Sequence, residues 1–206
     1  MALKIYLIRH GKTQWNLERR IQGSTDIELA QEGIDDAKKV GQVLAHIPFK
    51  ACYSSMLTRT HQTAQHIIGE RKIPHFHHKG LNEFGFGLWE GVKSDDLQEN
   101  QEYQLLRSQP KFYTATESQG EQMIDFKERV MRAFNDIVEL HQAEQEVNIL
   151  IVAHGMTLTL LTAIIKGLPW YEFRNTELHQ FVDNTSVNII EVTGKKAELV
   201  VFNQAI

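Results

Sequence analysis

Leu3-Lys4-Ile5-Tyr6-Leu7-Ile8-Arg9-His10-Gly11 is an almost wholly apolar run that stops on Arg-His-Gly. A second apolar run, Ile149-Leu150-Ile151-Val152-Ala153, stops on His154-Gly155. Near-continuous apolar runs of this length are what strands buried on both faces of a parallel sheet look like. Each His therefore stands where a buried strand ends and a loop or helix begins. In open parallel sheets, ligands bind in the crevice beyond the carboxyl ends of the strands. If the two strands are neighbours, both imidazoles share one pocket with Arg9, a set suited to handling a phosphate.

Working outward, further strand-like runs are Lys50–Tyr53, Ile73–His77, Val187–Val192 and Ala197–Phe202. Helical periodicity predicts helices over Gln31–His46, Leu57–Gly69, Glu121–His141 and Thr157–Ile165. Strands alternating with helices predict an α/β fold, a mainly parallel sheet with helices on both faces. Thr193-Gly194-Lys195-Lys196 separates the last two strands, which predicts a hairpin and an antiparallel C-terminal edge. Lys93–Arg107 could hold a helix, whereas Ser108–Gly120 is polar and irregular. Residues 92–122 are expected to be a lid over the pocket, within a single domain spanning 1–206.

Composition fits that picture. The 206 residues are 42% hydrophobic and 23% charged, with a net charge of −4, so neither nucleic acid nor an anionic membrane is an expected partner. No stretch approaches the roughly 18 apolar residues of a membrane helix, and the N-terminus shows no signal-peptide pattern. One cysteine, Cys52, permits no intramolecular disulfide. A cytoplasmic location is expected. The oligomeric state is left open, a homodimer included.

Three groups carry chemistry. In Arg9-His10-Gly11-Lys12-Thr13-Gln14-Trp15-Asn16, Arg9 offers a planar fork for phosphate oxygens and neutral His10 a lone pair for attack on phosphorus. Thr13 and Asn16 add neutral donors. In Tyr53-Ser54-Ser55-Met56-Leu57-Thr58-Arg59, Ser54 or Ser55 can cap the coming helix, with Arg59 near its first turn. Taken alone, Arg59 would read as a surface arginine. Leu81-Asn82-Glu83-Phe84-Gly85-Phe86-Gly87-Leu88-Trp89-Glu90-Gly91 is a tight aromatic loop where a carboxylate could act as general acid; composition does not choose between Glu83 and Glu90.

These blocks, with Gly23–Gly33, Gly120-Glu121 and Asn184-Thr185-Ser186-Val187, follow the order of the histidine phosphatase superfamily, the phosphoglycerate mutase-like proteins, which the chain resembles over nearly its whole length. The resemblance implies a three-layer doubly wound fold and no metal or cofactor requirement. It implies His10 as the nucleophile, Glu83 as proton donor and acceptor, and Arg9, Arg59 and a protonated His154 around the phosphate. Asn16, Gln22, Thr13 and Gly155 would serve substrate binding. His154–Thr159 and Asn184–Val192 most resemble the bacterial broad-specificity phosphatase branch. The expected activity is hydrolysis of a small phosphomonoester.

Several positions depart from the family. Lys12 replaces a common Glu or Gln, and Ala30 a Thr or Ser before the first long helix, a poor cap. Thr159 stands where the glycolytic mutases have Arg, and residues 92–122 lack those mutases' paired arginines. A phosphatase is therefore favoured over a cofactor-dependent phosphoglycerate mutase. A non-catalytic phospho-ligand module would be expected to have lost His10, Glu83 or His154. Ten histidines raise the question of a metal: His75 and His77 share a strand face beside His78, but no further ligand has diagnostic spacing, and none is expected. Cys52 and Arg59 are one residue too far apart for a cysteine phosphatase loop, and no nucleotide P-loop is present. Phe84, Phe86, Trp89, Tyr103, Phe112 and Tyr113 could form an apolar mouth for hydrophobic esters or lie in the core.

Overall fold

The computed structural model describes residues 3–144 and 146–206. In chain order the elements are β1 (Leu3–Arg9), α1 (Gln14–Leu17), α2 (Gln31–Val43), β2 (Phe49–Ser54), α3 (Thr58–Ile68), β3 (His75–His77), α4 (Gln101–Ser108), α5 (Met123–His141), β4 (Asn148–Ala153), α6 (Gly155–Ile165), β5 (Val187–Thr193) and β6 (Lys196–Gln204). The strands form one sheet in the order β3-β2-β4-β1-β5-β6. The first four run parallel; β5 and β6 are the antiparallel edge.

Alternation along the central strands sends side chains into two cores. Ile5, Leu7, Ile149 and Ile151 join Phe126, Val130 and Ile137 of α5 and Leu158 and Leu161 of α6 on one face. Tyr6, Ile8, Leu150 and Val152 meet Val40 of α2 and Ala64 and Ile67 of α3 on the other. These are the three layers of a doubly wound fold. No helix among the described residues is long and apolar enough to cross a membrane.

Four local expectations are corrected. The strand expected from Ile73 starts only at His75, because Pro74 has no N–H to pair; its carbonyl still accepts from Cys52 N–H at 2.8 Å. The Lys93–Arg107 helix is divided into a 3-10 turn, Ser94–Leu97, and α4. The break is at Asn100, whose side chain caps Tyr103 N–H at 2.8 Å. Helix α5 starts at Met123, since Glu121 is drawn into an ion pair with Arg129. Neither Ser54 nor Ser55 caps α3: Thr58 N–H and its hydroxyl both donate to Asp26, at 2.7 Å each. The irregular run after α4 is anchored by buried Glu102, which accepts from the N–H groups of Thr116, Glu117 and Ser118.

Candidate active site

Parallel pairing of β1 with β4 ends at Arg9 opposite Ala153, so the next residues, His10 and His154, leave the sheet side by side. Their rings stand edge to face with centroids 5.2 Å apart. The chain beyond β1 is held by Asn184, whose amide donates to His10 C=O at 2.8 Å, and by Thr185 N–H on Arg9 C=O. His10 Nδ1 lies 2.8 Å from Gly11 C=O. A carbonyl only accepts, so Nδ1 carries the proton and Nε2 keeps its lone pair. Burial, followed by the Arg59 and Arg9 guanidinium groups, pushes this imidazole well below its usual range.

Two arginines sit over this pair without an ion-pair partner among the described residues. Arg9 donates to Val182 C=O at 2.8 Å. Fully buried Arg59 donates to Thr25 C=O and Gly23 C=O at 2.8 and 2.7 Å. The Nε atoms of both are buried with no hydrogen-bond partner, and burial lowers Arg59 to about 10. Desolvated cations without a carboxylate in contact are costly, and the arrangement suits an anion.

One cavity is lined by Arg9, His10, Asn16, Gln22, Arg59 and Glu83 among others. Thr13, His154 and Gly155 do not line it, which corrects the expectation that Thr13 and Gly155 bind substrate directly. Thr13 is buried beneath the two amides: its N–H donates to Asn16 Oδ1 and its hydroxyl to Gln22 Oε1. That fixes both amide orientations and leaves both NH2 groups free of partners among the described residues. A Cβ on Gly155 would stand 2.7 Å from the Phe181 ring and 3.1 Å from Arg9 Cζ, so this glycine lets those side chains pack closely. His154 Nε2 meets Ser55 Oγ at 2.7 Å while its Nδ1 is unpartnered. Burial, then Arg59, His10 and Arg9, pushes His154 well below the usual histidine range. The expectation of a protonated His154 is therefore corrected for the free protein: positive charge comes from the arginines.

The two candidate carboxylates separate cleanly. Glu83 lines the cavity and accepts from Phe84 N–H and, at the start of α6, from Met156 N–H, Thr157 N–H and the Thr157 hydroxyl, at 3.0–3.1 Å. Its surroundings are donors rather than the apolar pocket expected of a general acid. Glu90 instead accepts from Ser24, Thr25 and Phe86 N–H groups, fastening the loop whose carbonyls hold Arg59. Arg129 supports Glu83 from behind, donating to its C=O at 2.8 Å while paired with Glu121. Lys12 turns away to pair with Glu32. Buried Thr159 accepts from Val182 N–H at 3.0 Å and so steadies the carbonyl that receives Arg9.

Sequence reasoning missed the outer wall. Arg20, Arg107 and Arg174 line the same cavity, Arg174 stacking 4.7 Å from the Phe181 ring. Neither Arg107 nor Arg174 makes a hydrogen bond or ion pair among the described residues. Burial followed by Arg107 lowers Arg174 to about 10. These three arginines lie far apart in the chain, and no local pattern marks them. The aromatic mouth is smaller than envisaged: Phe86 and Tyr103 line the cavity, Phe84, Trp89 and Tyr113 are core, and Phe112 is exposed.

Comparison with known proteins agrees with this architecture. The model of the histidine phosphatase superfamily (branch 1) matches residues 5–205. A Cronobacter sakazakii protein named "probable phosphoglycerate mutase GpmB" is 35% identical over 179 residues, covering 85% of this chain and 80% of its own. YhfR of Bacillus stearothermophilus superposes with a TM-score of 0.90 at 32% identity, over 99% of this chain and 98% of that one. Phosphoserine phosphatase from Entamoeba histolytica, solved with phosphoserine, gives 0.83 at 27% identity, over 98% of each chain. The chain belongs to branch 1 of the histidine phosphatase superfamily.

Proposed function

We propose that the protein is a metal-independent phosphomonoesterase acting through a phosphohistidine on His10. The observation that carries this is the His10 tautomer: with Nδ1–H committed to Gly11 C=O, the Nε2 lone pair belongs to a neutral imidazole beside two arginines that make no ion pair among the described residues. Arg9, Arg59 and the amide donors of Asn16 and Gln22 hold the phosphoryl oxygens. Nε2 bonds to phosphorus as the ester P–O bond breaks, and Glu83 gives its proton to the leaving alcohol oxygen. Water then attacks phosphorus, Glu83 takes its proton, and the P–N bond breaks to release inorganic phosphate.

The outer arginines favour a substrate with a second anionic group. Arg107 and Arg174 are cations at the mouth that make no ion pair among the described residues, a cost that a substrate carboxylate offsets. Phosphoserine, the ligand of the Entamoeba relative, has this chemistry. Hydrolysis rather than mutase action is supported by the poverty of the 92–122 segment in basic residues, of which Arg107 alone lines the cavity. We place the protein in the cytoplasm on the strength of its single, buried cysteine.

Phosphate release in EDTA from p-nitrophenyl phosphate, phosphoserine and 3-phosphoglycerate tests all of this. Turnover is expected without metal and abolished in His10→Ala. Arg174→Ala is expected to raise KM for the carboxylated esters about tenfold, with little change for p-nitrophenyl phosphate. Full turnover by His10→Ala, or dominant isomerisation of 3-phosphoglycerate with 2,3-bisphosphoglycerate present, would overturn the proposal.

A further inference from the structure

Beyond the cavity, on the open side of the β2–β3 edge, three imidazoles converge from two elements. His75 and His77 alternate along β3 and share a face, and His61 reaches them from the first turns of α3. Ring centroids are 4.9–5.1 Å apart, and one nitrogen of each residue lies within 4.8 Å of the others. His77 Nδ1 faces the carbonyl of Ser55 at 3.2 Å and Ser54 Oγ at 3.0 Å. Because the carbonyl can only accept, Nδ1 carries the proton and the Nε2 lone pair points at His61 Nδ1, 3.3 Å away. Two imidazole nitrogens on one tetrahedral zinc ion, each at 2.0–2.1 Å, stand about 3.3 Å apart.

We propose that His61, His75 and His77 form a binding site for a late first-row divalent cation of the Zn2+ class. Three imidazoles and an open fourth position for water suit Zn2+ and exclude the oxygen-seeking Mg2+ and Ca2+. Buried Ser54, within 2.8 Å of His75 Nε2 as well, supplies the outer hydrogen bonds that orient such ligands. No carboxylate among the described residues contacts any of the three. His78 stays outside, its Nδ1 accepting from Gly80 N–H. From the sequence only His75 and His77 could be grouped, because His61 comes from a helix with no spacing relation to the strand. A bound ion would fasten the three-residue edge strand β3 to α3, the helix that carries Arg59.

The test is calorimetric titration of the EDTA-stripped, desalted full-length protein with ZnCl2, with Tm followed in parallel. One equivalent is expected to bind at micromolar Kd or tighter. Tm should rise on the order of 5 °C at free Zn2+ about a hundredfold above Kd. His61→Ala and His77→Ala should each lose that equivalent and the Tm rise, while keeping their metal-free Tm and their p-nitrophenyl phosphate turnover in EDTA. His154→Ala, which disrupts the only other close imidazole pair among the described residues, should retain both. Zn2+ binding that survives His61→Ala and His77→Ala, or vanishes in His154→Ala, overturns the site, as does absence of binding by the intact protein.

Discussion

At His10 a single hydrogen bond to Gly11 C=O determines which nitrogen can react, and burial, with the arginines behind it, lowers its proton affinity. Burial, Arg59 and Arg9 all act in the same direction, so the free base persists as pH drops below the ordinary value of 6.5. A 15N-detected titration of the unliganded protein should find His10 still neutral at pH 6; titration at or above 6.5 would contradict this environment. The backbone here is equally constrained. A Cβ on Gly33 would lie 2.2 Å from Lys12 C=O and 2.6 Å from Lys12 N, against main chain that cannot swing aside. Gly33→Ala is expected to cost about 2 kcal/mol or more in urea unfolding and to lower turnover by shifting Gly11. His10, Arg9 and Arg59 were legible because each follows the end of an apolar run. Gly33 was visible only as part of a matching block, since its reason is a long-range approach of two backbones. Arg174 sits in irregular chain, where no periodicity marks which face a side chain takes.

Two helices near the cavity begin differently, and that difference is measurable. Ala30 occupies the cap position of α2 with extended backbone (φ −72°, ψ 162°) and offers no side-chain acceptor. Ala30→Ser supplies that acceptor without altering the backbone and should stabilise the protein by about 1 kcal/mol. Helix α3 has the opposite arrangement, its first N–H served by Asp26 from a distant loop. Asp26→Ala should cost about 1 kcal/mol and also raise KM, because Arg59 lies in the turn that Asp26 secures; Ala30→Ser should leave KM unchanged. Urea midpoints and initial rates on the same preparations distinguish the two. The weak α2 cap was legible, being a property of one residue. The α3 cap was misassigned to Ser54 or Ser55 because a remote acceptor outcompeted them. Ser54 turns instead toward His75 and His77, while Ser55 accepts from Leu57 N–H.

For the molecule as a whole, the strand order that brings β1 beside β4 also buries ionisable rings. The His-Gly echo made that neighbourhood legible, but its consequence for stability needed the packing. His10 and His154 are buried and held well below the ordinary histidine range, and burial takes His75 and His179 to about 4. In the unfolded chain each titrates near 6.5. Between those values the unfolded state binds protons that the native state refuses. Stability is therefore full above pH 6.5 and is lost as pH falls from there toward 4. Most carboxylates titrate below this window, so loss between pH 6.5 and 5 belongs to imidazoles. His10, His154, His75 and His179 each contribute up to about 1.4 kcal/mol per pH unit inside that window. Urea unfolding at half-unit steps from pH 7.5 to 5 measures it, and a flat profile would contradict the burial of these rings as neutral groups. The variant carrying both His10→Gln and His154→Gln should lose about half of the slope while retaining the transition. An undiminished slope in that variant would move the effect to His75 and His179, away from the cavity.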